Sequence, residues 1–170
     1  MKTLSQKNNP HVQAFFDQTT NTISYVVSDV ETKQCAVIDS VMDYEPYGAT
    51  ISFESAQKIV VHIKSNDYIL EWILETHVHA DHISAAKYIQ EKCGGKIGIS
   101  NHITEVQNVF GDVFSDDEVL LRDGSQFDVL FNDDETFMIG SINAQALYVP
   151  GHTPADVAYY IGDVLFVGDT

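Results

Sequence analysis

The run Thr76-His77-Val78-His79-Ala80-Asp81-His82 constrains this chain more than any other stretch. It follows Tyr68 to Glu75, a mostly apolar segment that reads as a strand buried on both faces. On an extended segment residues i and i+2 project to the same side, so His77 and His79 can reach one ion together. Asp81 and His82 come where the chain turns into a helix expected over His82 to Lys92, which aims them at a point beside the first. Histidine and carboxylate are the ligands expected for zinc or iron. The competing reading makes Asp81 a helix cap and each histidine a structural residue. Four such groups within six residues, at the end of an apolar strand, argue against it.

Hydrophobic periodicity places the remaining elements. Val12, Ala14 and Phe16 share one face of a first strand, and Ile23, Tyr25 and Val27 one face of a second. Cys35 to Asp39 completes an antiparallel meander, and Val41 to Thr50, with Pro46 and Gly48, reads as a loop. Ser52 to Lys64 has the helical period, with Ala56, Ile59, Val60 and Ile63 on one face and Ser52 or Ser55 as cap. The helix from His82 closes at Gly94 and Gly95, before a short strand at Ile97 to Ile99. That order predicts a parallel βαβ unit. His102 to Phe110 reads as a short helix and Gly111 to Gln126 mostly as loop. Further strands are expected at Phe137 to Ile139, Ala144 to Val149, Val157 to Ile161 and Val164 to Val167. The fold class is α/β, with mixed sheets and outer helices in one domain over residues 1–170.

Composition narrows the partners. Nine basic against 25 acidic residues give a formal charge of −16, which leaves no basic stripe for phosphates and argues against nucleic acid and anionic membranes. The acidic concentrations at Asp112 to Glu118 and Asp133 to Glu135 read as solvated loops. With two cysteines, Cys35 and Cys93, a disulfide framework is not expected. The polar N-terminus carries no apolar signal segment, so a cytoplasmic location is expected.

Two further motifs carry ligand-type residues. Pro150-Gly151-His152-Thr153-Pro154 puts a histidine in a tight turn between two strands. Gly168-Asp169-Thr170 puts a carboxylate at the end of the Val164 to Val167 strand. Strand ends are where sheet proteins gather ligands from distant parts of the chain. His11, His62 and His102 are given no catalytic role, and Tyr159 and Tyr160 are read as packing residues of a strand.

In content and order the motifs at 76–82, 151–154 and 168–170 resemble the metallo-β-lactamase superfamily, which implies an αββα sandwich, here mainly its N-terminal half. Flanking segments, Ile83-Ser84-Ala85-Ala86, Gly94-Gly95-Lys96-Ile97-Gly98, Asp123-Gly124-Ser125-Gln126-Phe127-Asp128 and Ala36-Val37-Ile38-Asp39-Ser40, look like bacterial persulfide dioxygenases, relatives of the ethylmalonic encephalopathy protein and of glyoxalase II. The resemblance implies one iron(II) held by His77, His152 and Asp169, oxidising glutathione persulfide to sulfite and glutathione. His79 and Asp81 are then the expected catalytic auxiliaries, with His82 orienting the ligands beside them. The glyoxalase II alternative implies one or two zinc ions. His77, His79 and His152 would hold the first, Asp81 and His82 the second, and Asp169 would bridge them in hydrolysis of an S-acylglutathione. A third reading is an inactive fragment or metal-binding interaction module.

Members of the family continue well beyond Gly-Asp-Thr, so the resemblance also predicts that a C-terminal part is lacking. A second copy of the chain or a complementing C-terminal half would then cover the Val164 to Val167 strand. Asp156 stands where many relatives carry a small or apolar residue, and it is expected to face solvent.

Overall fold

A computed structural model describes residues 9–114 and 121–170. The alternating N-terminal segments form β1 (His11–Phe16), β2 (Ile23–Ser28) and β3 (Gln34–Ile38), an antiparallel meander with Val12 opposite Val27 and Val26 opposite Val37. β3 then pairs in parallel with β6 (Ile69–Leu74), β6 with β8 (Lys96–Ser100), and β8 with β9 (Val129–Phe131). Parallel neighbours need long crossovers. Helices supply them: α1 (Glu54–Ser65) before β6, α2 (Ala86–Cys93) before β8 and α3 (Ile103–Phe114) before β9.

The apolar runs are continuous because this sheet is covered on both sides. Val26, Val37 and Ile73 face the helices and meet Ala56, Ile59, Val60 and Ile63 of α1 and Ile89 of α2. Their chain neighbours Val27, Ala36, Ile38 and Leu74 face the other way, as the two-residue strand period requires. There they pack on a second, antiparallel sheet of β10 (Thr136–Ile139), β11 (Ile142–Tyr148), β12 (Val157–Ile161) and β13 (Val164–Phe166). Ile73 is fully buried where β6 faces the helices, so Ile73→Ala is expected to lose about 2–5 kcal/mol of stability, read from urea denaturation.

Several expectations need correction. Val41 to Thr50 is not simply a loop: β4 (Val41–Glu45) turns back at Gly48 into β5 (Thr50–Ser52). The other edge of β4 takes β7 (Ile83–Ser84), with Val41 opposite Ser84, so the second helix starts at Ala86 and not at His82. Ser84 decides this locally, because its hydroxyl donates to Glu75 Oε1 and accepts from the Ala86 amide. Neither Ser52 nor Ser55 caps α1; Ser55 donates its amide and hydroxyl to Asp43 instead. β9 has no counterpart among the expected strands, and α3 runs on to Phe114 where periodicity predicts loop. Part of the acidic stretch Asp112 to Glu118 lies outside the described residues. Leu165 and Val167 are exposed on the last strand and its end. Among the described residues no helix is long and apolar enough to cross a membrane.

Candidate metal centre

Three separate chain segments meet at the C-terminal end of β6. The Val157 amide donates to the Thr76 carbonyl (2.9 Å), and the buried Tyr159 hydroxyl donates to the Glu75 carbonyl (3.0 Å). These bonds fasten the second sheet to the histidine-rich loop and bring the β11–β12 connection, with His152, beside His77. Gly168 does the same for Asp169. Its backbone lies so close to Thr76 that an added Cβ would stand 2.5 Å from the threonine hydroxyl, and its φ of +59° suits glycine.

His77 Nε2 and His152 Nε2 consequently face one oxygen, Asp169 Oδ2, at 3.8 and 3.9 Å. The two rings are nearly perpendicular, with centroids 5.0 Å apart. These separations are too long for hydrogen bonds, and they leave room for an ion bonded to each atom at ~2 Å.

The hydrogen bonds around His77 fix its tautomer. The Thr76 hydroxyl lies 2.9 Å from Asp39 Oδ2 and 3.0 Å from His77 Nδ1. A hydroxyl has one proton, and a carboxylate only accepts, so Thr76 donates to Asp39 and accepts from the His77 Nδ1–H. Nε2 therefore presents a lone pair. It is buried without a hydrogen-bond partner. Burial, followed by the charge of His79, pushes the His77 pKa down and keeps the ring neutral, the form that binds metal. His82 follows the same pattern. Its Nδ1 lies 3.3 Å from Asp81 Oδ1, while its buried Nε2 has no partner. These orphaned nitrogens fit a divalent metal.

His79 is held from the other side. Its Nε2 lies 3.2 Å from Asp39 Oδ1 and 3.4 Å from Glu75 Oε2, so that nitrogen carries the proton and Nδ1 faces Asp81, 4.0 Å away. Burial opposes a charge on His79, but the hydrogen bond to Asp39 and the nearby Glu75 carboxylate outweigh it and raise its pKa to about 10. Burial pushes the Glu75 carboxyl up. Asp39, Glu75 and His79 also lie within ligand distance of one another. They read as a clamp on the imidazole, because Asp39 is already occupied by the Thr76 amide and hydroxyl and Glu75 by Ser84.

Asp81 is reached from the β1–β2 turn, where the Thr22 hydroxyl donates to its Oδ2 (3.0 Å). Burial works against its charge, but hydrogen bonding and His82 leave the pKa lowered. The donor atoms fall into two neighbouring sets, His77–His152–Asp169 and His79–Asp81–His82. A cavity of about 670 Å³, lined partly by Ile23, Tyr25 and Phe166, opens onto His79, Asp81 and Asp169.

Asp39, Thr22 and the bridging role of Thr76 escaped the sequence reading. The available signal for Asp39 was its place at the end of β3, alongside the parallel β6. Asp156, expected at the surface, is 3% exposed. Its carboxylate accepts the Thr153 amide and hydroxyl and so shapes the loop that carries His152.

Residues 19–170 match the model of the metallo-beta-lactamase superfamily. The chain belongs to that superfamily. It is 41% identical over 174 residues to a probable metallo-hydrolase of Burkholderia pseudomallei, covering 93% of this chain and 59% of that protein. It is also 41% identical over 165 residues to glyoxylase B2 of Dictyostelium discoideum, covering 96% of this chain and 56% of that one. Among solved structures, ETHE1 from Myxococcus xanthus superposes with a TM-score of 0.72 at 24% identity, over 94% of this chain and 57% of the other. At that identity the likeness speaks for the αβ/βα sandwich alone. This superfamily member thus spans less than two thirds of these two relatives.

Proposed function

We propose that the chain is the metal-binding part of a persulfide dioxygenase, which oxidises glutathione persulfide to sulfite and glutathione at one non-haem iron. The observation that carries this reading is the convergence of His77 Nε2 and His152 Nε2 on a single Asp169 oxygen. Two histidines and one carboxylate on one face are the ligand set of non-haem iron oxygenases. Iron(II) bound there would supply dioxygen activation and a position for the terminal sulfur. The protein's own part is positional. Thr76 and Asp39 keep the His77 lone pair pointed inward, and the close approach of Gly168 to Thr76 places Asp169 beside it in the chain. His79, whose Nε2–H donates to Asp39 beside the Glu75 carboxylate, and Asp81 set the charge beside the site. A reducing cytoplasm is the proposed compartment, in keeping with the free thiols of Cys35 and Cys93.

The test is oxygen uptake with glutathione persulfide after iron(II) reconstitution, comparing the parent with His152→Ala. A loss of about a hundredfold or more is expected in the variant; equal uptake by both proteins sinks the reading. A second reading, a binuclear zinc hydrolase of S-acylglutathione, draws support from the adjacent His79–Asp81–His82 set. Metal content separates them. About one iron per chain supports the dioxygenase, whereas two zinc ions with S-lactoylglutathione hydrolysis in the absence of oxygen support the hydrolase.

A further inference from the structure

Of the two histidines facing Asp169, His152 is the less supported. The His77 side chain is 2% exposed and the His152 side chain 44%. The loop that carries His152 is shaped by its own bonds: Val149 amide to Asp156 carbonyl, Gly151 amide to Thr153 carbonyl, and Thr153 to the Asp156 carboxylate. Such bonds define the loop's form but not its place on the protein. Besides the Val157–Thr76 bond just past its end, two contacts hold it from outside. Ala155 is buried among Ile99, Ile103 and Val106, and the Tyr148 hydroxyl donates to the Pro154 carbonyl at 3.1 Å.

The second contact has a built support. The Tyr148 ring lies flat on His102, with centroids 4.0 Å apart and planes at 14°. His102 is itself held at both nitrogens, Nδ1 by Glu105 Oε1 of α3 (3.1 Å) and Nε2 by Asp133 Oδ1 of the β9–β10 turn (2.9 Å). A carboxylate at each nitrogen requires an N–H at each, so the ring is an imidazolium stacked on the tyrosine face. The arrangement immobilises a tyrosine whose hydroxyl reaches into the loop two residues beyond His152.

We propose that His102 and Tyr148 are positioning residues for the metal centre: the His102–Tyr148 stack fixes Pro154 and thereby holds His152 in register with His77 and Asp169. The proposal rests on His152 serving as a ligand, as in the function proposed above. It assigns a role to a histidine that the sequence reading set aside, because neither its neighbours nor its spacing connect it with the motif.

Zinc affinity of the full chain, measured by competition with a chromophoric chelator, tests it. Tyr148→Phe keeps the stack and removes the bond to Pro154, whereas His102→Ala removes the stack. Each is expected to weaken zinc binding about tenfold, the scale of residues that orient ligands. Acting in series, the two changes together should cost little more than the worse one alone. His102→Arg should restore most of the affinity, since a guanidinium can stack on Tyr148 and pair with both carboxylates. Parental affinity in both single variants, additive losses in the double variant, or no restoration by arginine would each overturn the brace. His152→Ala is measured alongside. A large loss there with parental affinity in Tyr148→Phe rejects the brace alone, and parental affinity in His152→Ala rejects the ligand assignment beneath it.

Discussion

An Asp39→Ala protein is expected to lose most of its metal affinity together with about 3–5 kcal/mol of stability. No other carboxylate described here serves so many parts of the centre. Asp39 is 6% exposed; it accepts the Thr76 amide and hydroxyl, and it faces His79 Nε2. Removing it leaves a buried amide without an acceptor and takes away half of the clamp on His79. It also frees the Thr76 hydroxyl to donate to His77, which would allow the wrong tautomer and turn the Nε2 lone pair into an N–H. Zinc affinity should fall at least tenfold, and urea denaturation of the metal-free variant should show the stability loss. Metal binding within twofold of the parent would refute the tautomer argument.

The same clamp predicts a pH dependence for the metal-free protein. The folded pKa of His79, about 10, lies above the ordinary 6.5, so its pairing contributes fully below about pH 6.5. The contribution fades as pH rises through about 10. Metal-free parent protein should therefore lose stability across this alkaline window, and Asp39→Ala should lose less.

Gly168→Ala is the second large effect. An alanine at φ +59° costs roughly 1–2 kcal/mol in backbone conformation alone. Its Cβ would also meet Thr76 Oγ1 at 2.5 Å and Thr76 Cβ at 2.8 Å. Neither atom can retreat freely, because Thr76 is buried and bonded to Asp39. The strand end must therefore lift, carrying Asp169 away from His77 and His152. The variant should fold with a lowered melting temperature and bind zinc at least tenfold more weakly, as removal of an orienting partner does. Parental zinc affinity would mean that Asp169 is positioned by something other than the Gly168–Thr76 contact.

Much of this centre was legible in residue order, for reasons that particular residues make plain. His77, His79, Asp81 and His82 sit in one run at a strand end, and Gly151-His152-Thr153-Pro154 and Gly168-Asp169-Thr170 stand out by their turn residues. Periodicity alone marked the buried face of α1 at Ala56, Ile59, Val60 and Ile63, since an amphipathic helix writes its contacts into its own spacing. It failed for β4, β7 and β9, which are short and owe their form to the strands beside them.

The amino-acid order thus sufficed for the class of fold and for the ligand types crowded between Thr76 and His82. The packed chain alone settled which nitrogen of His77 is free and which nitrogen of His79 is held, and the reason is distance along the sequence. The protons of His77 and His79 are set by Asp39, 38 and 40 residues before them, counting from the numbering. The place of His152 depends on Tyr148, stacked on a histidine 46 residues earlier by the same count. A hydrogen bond between residues so far apart leaves no periodic trace, and it exists only once β3, β6 and the second sheet have closed around it.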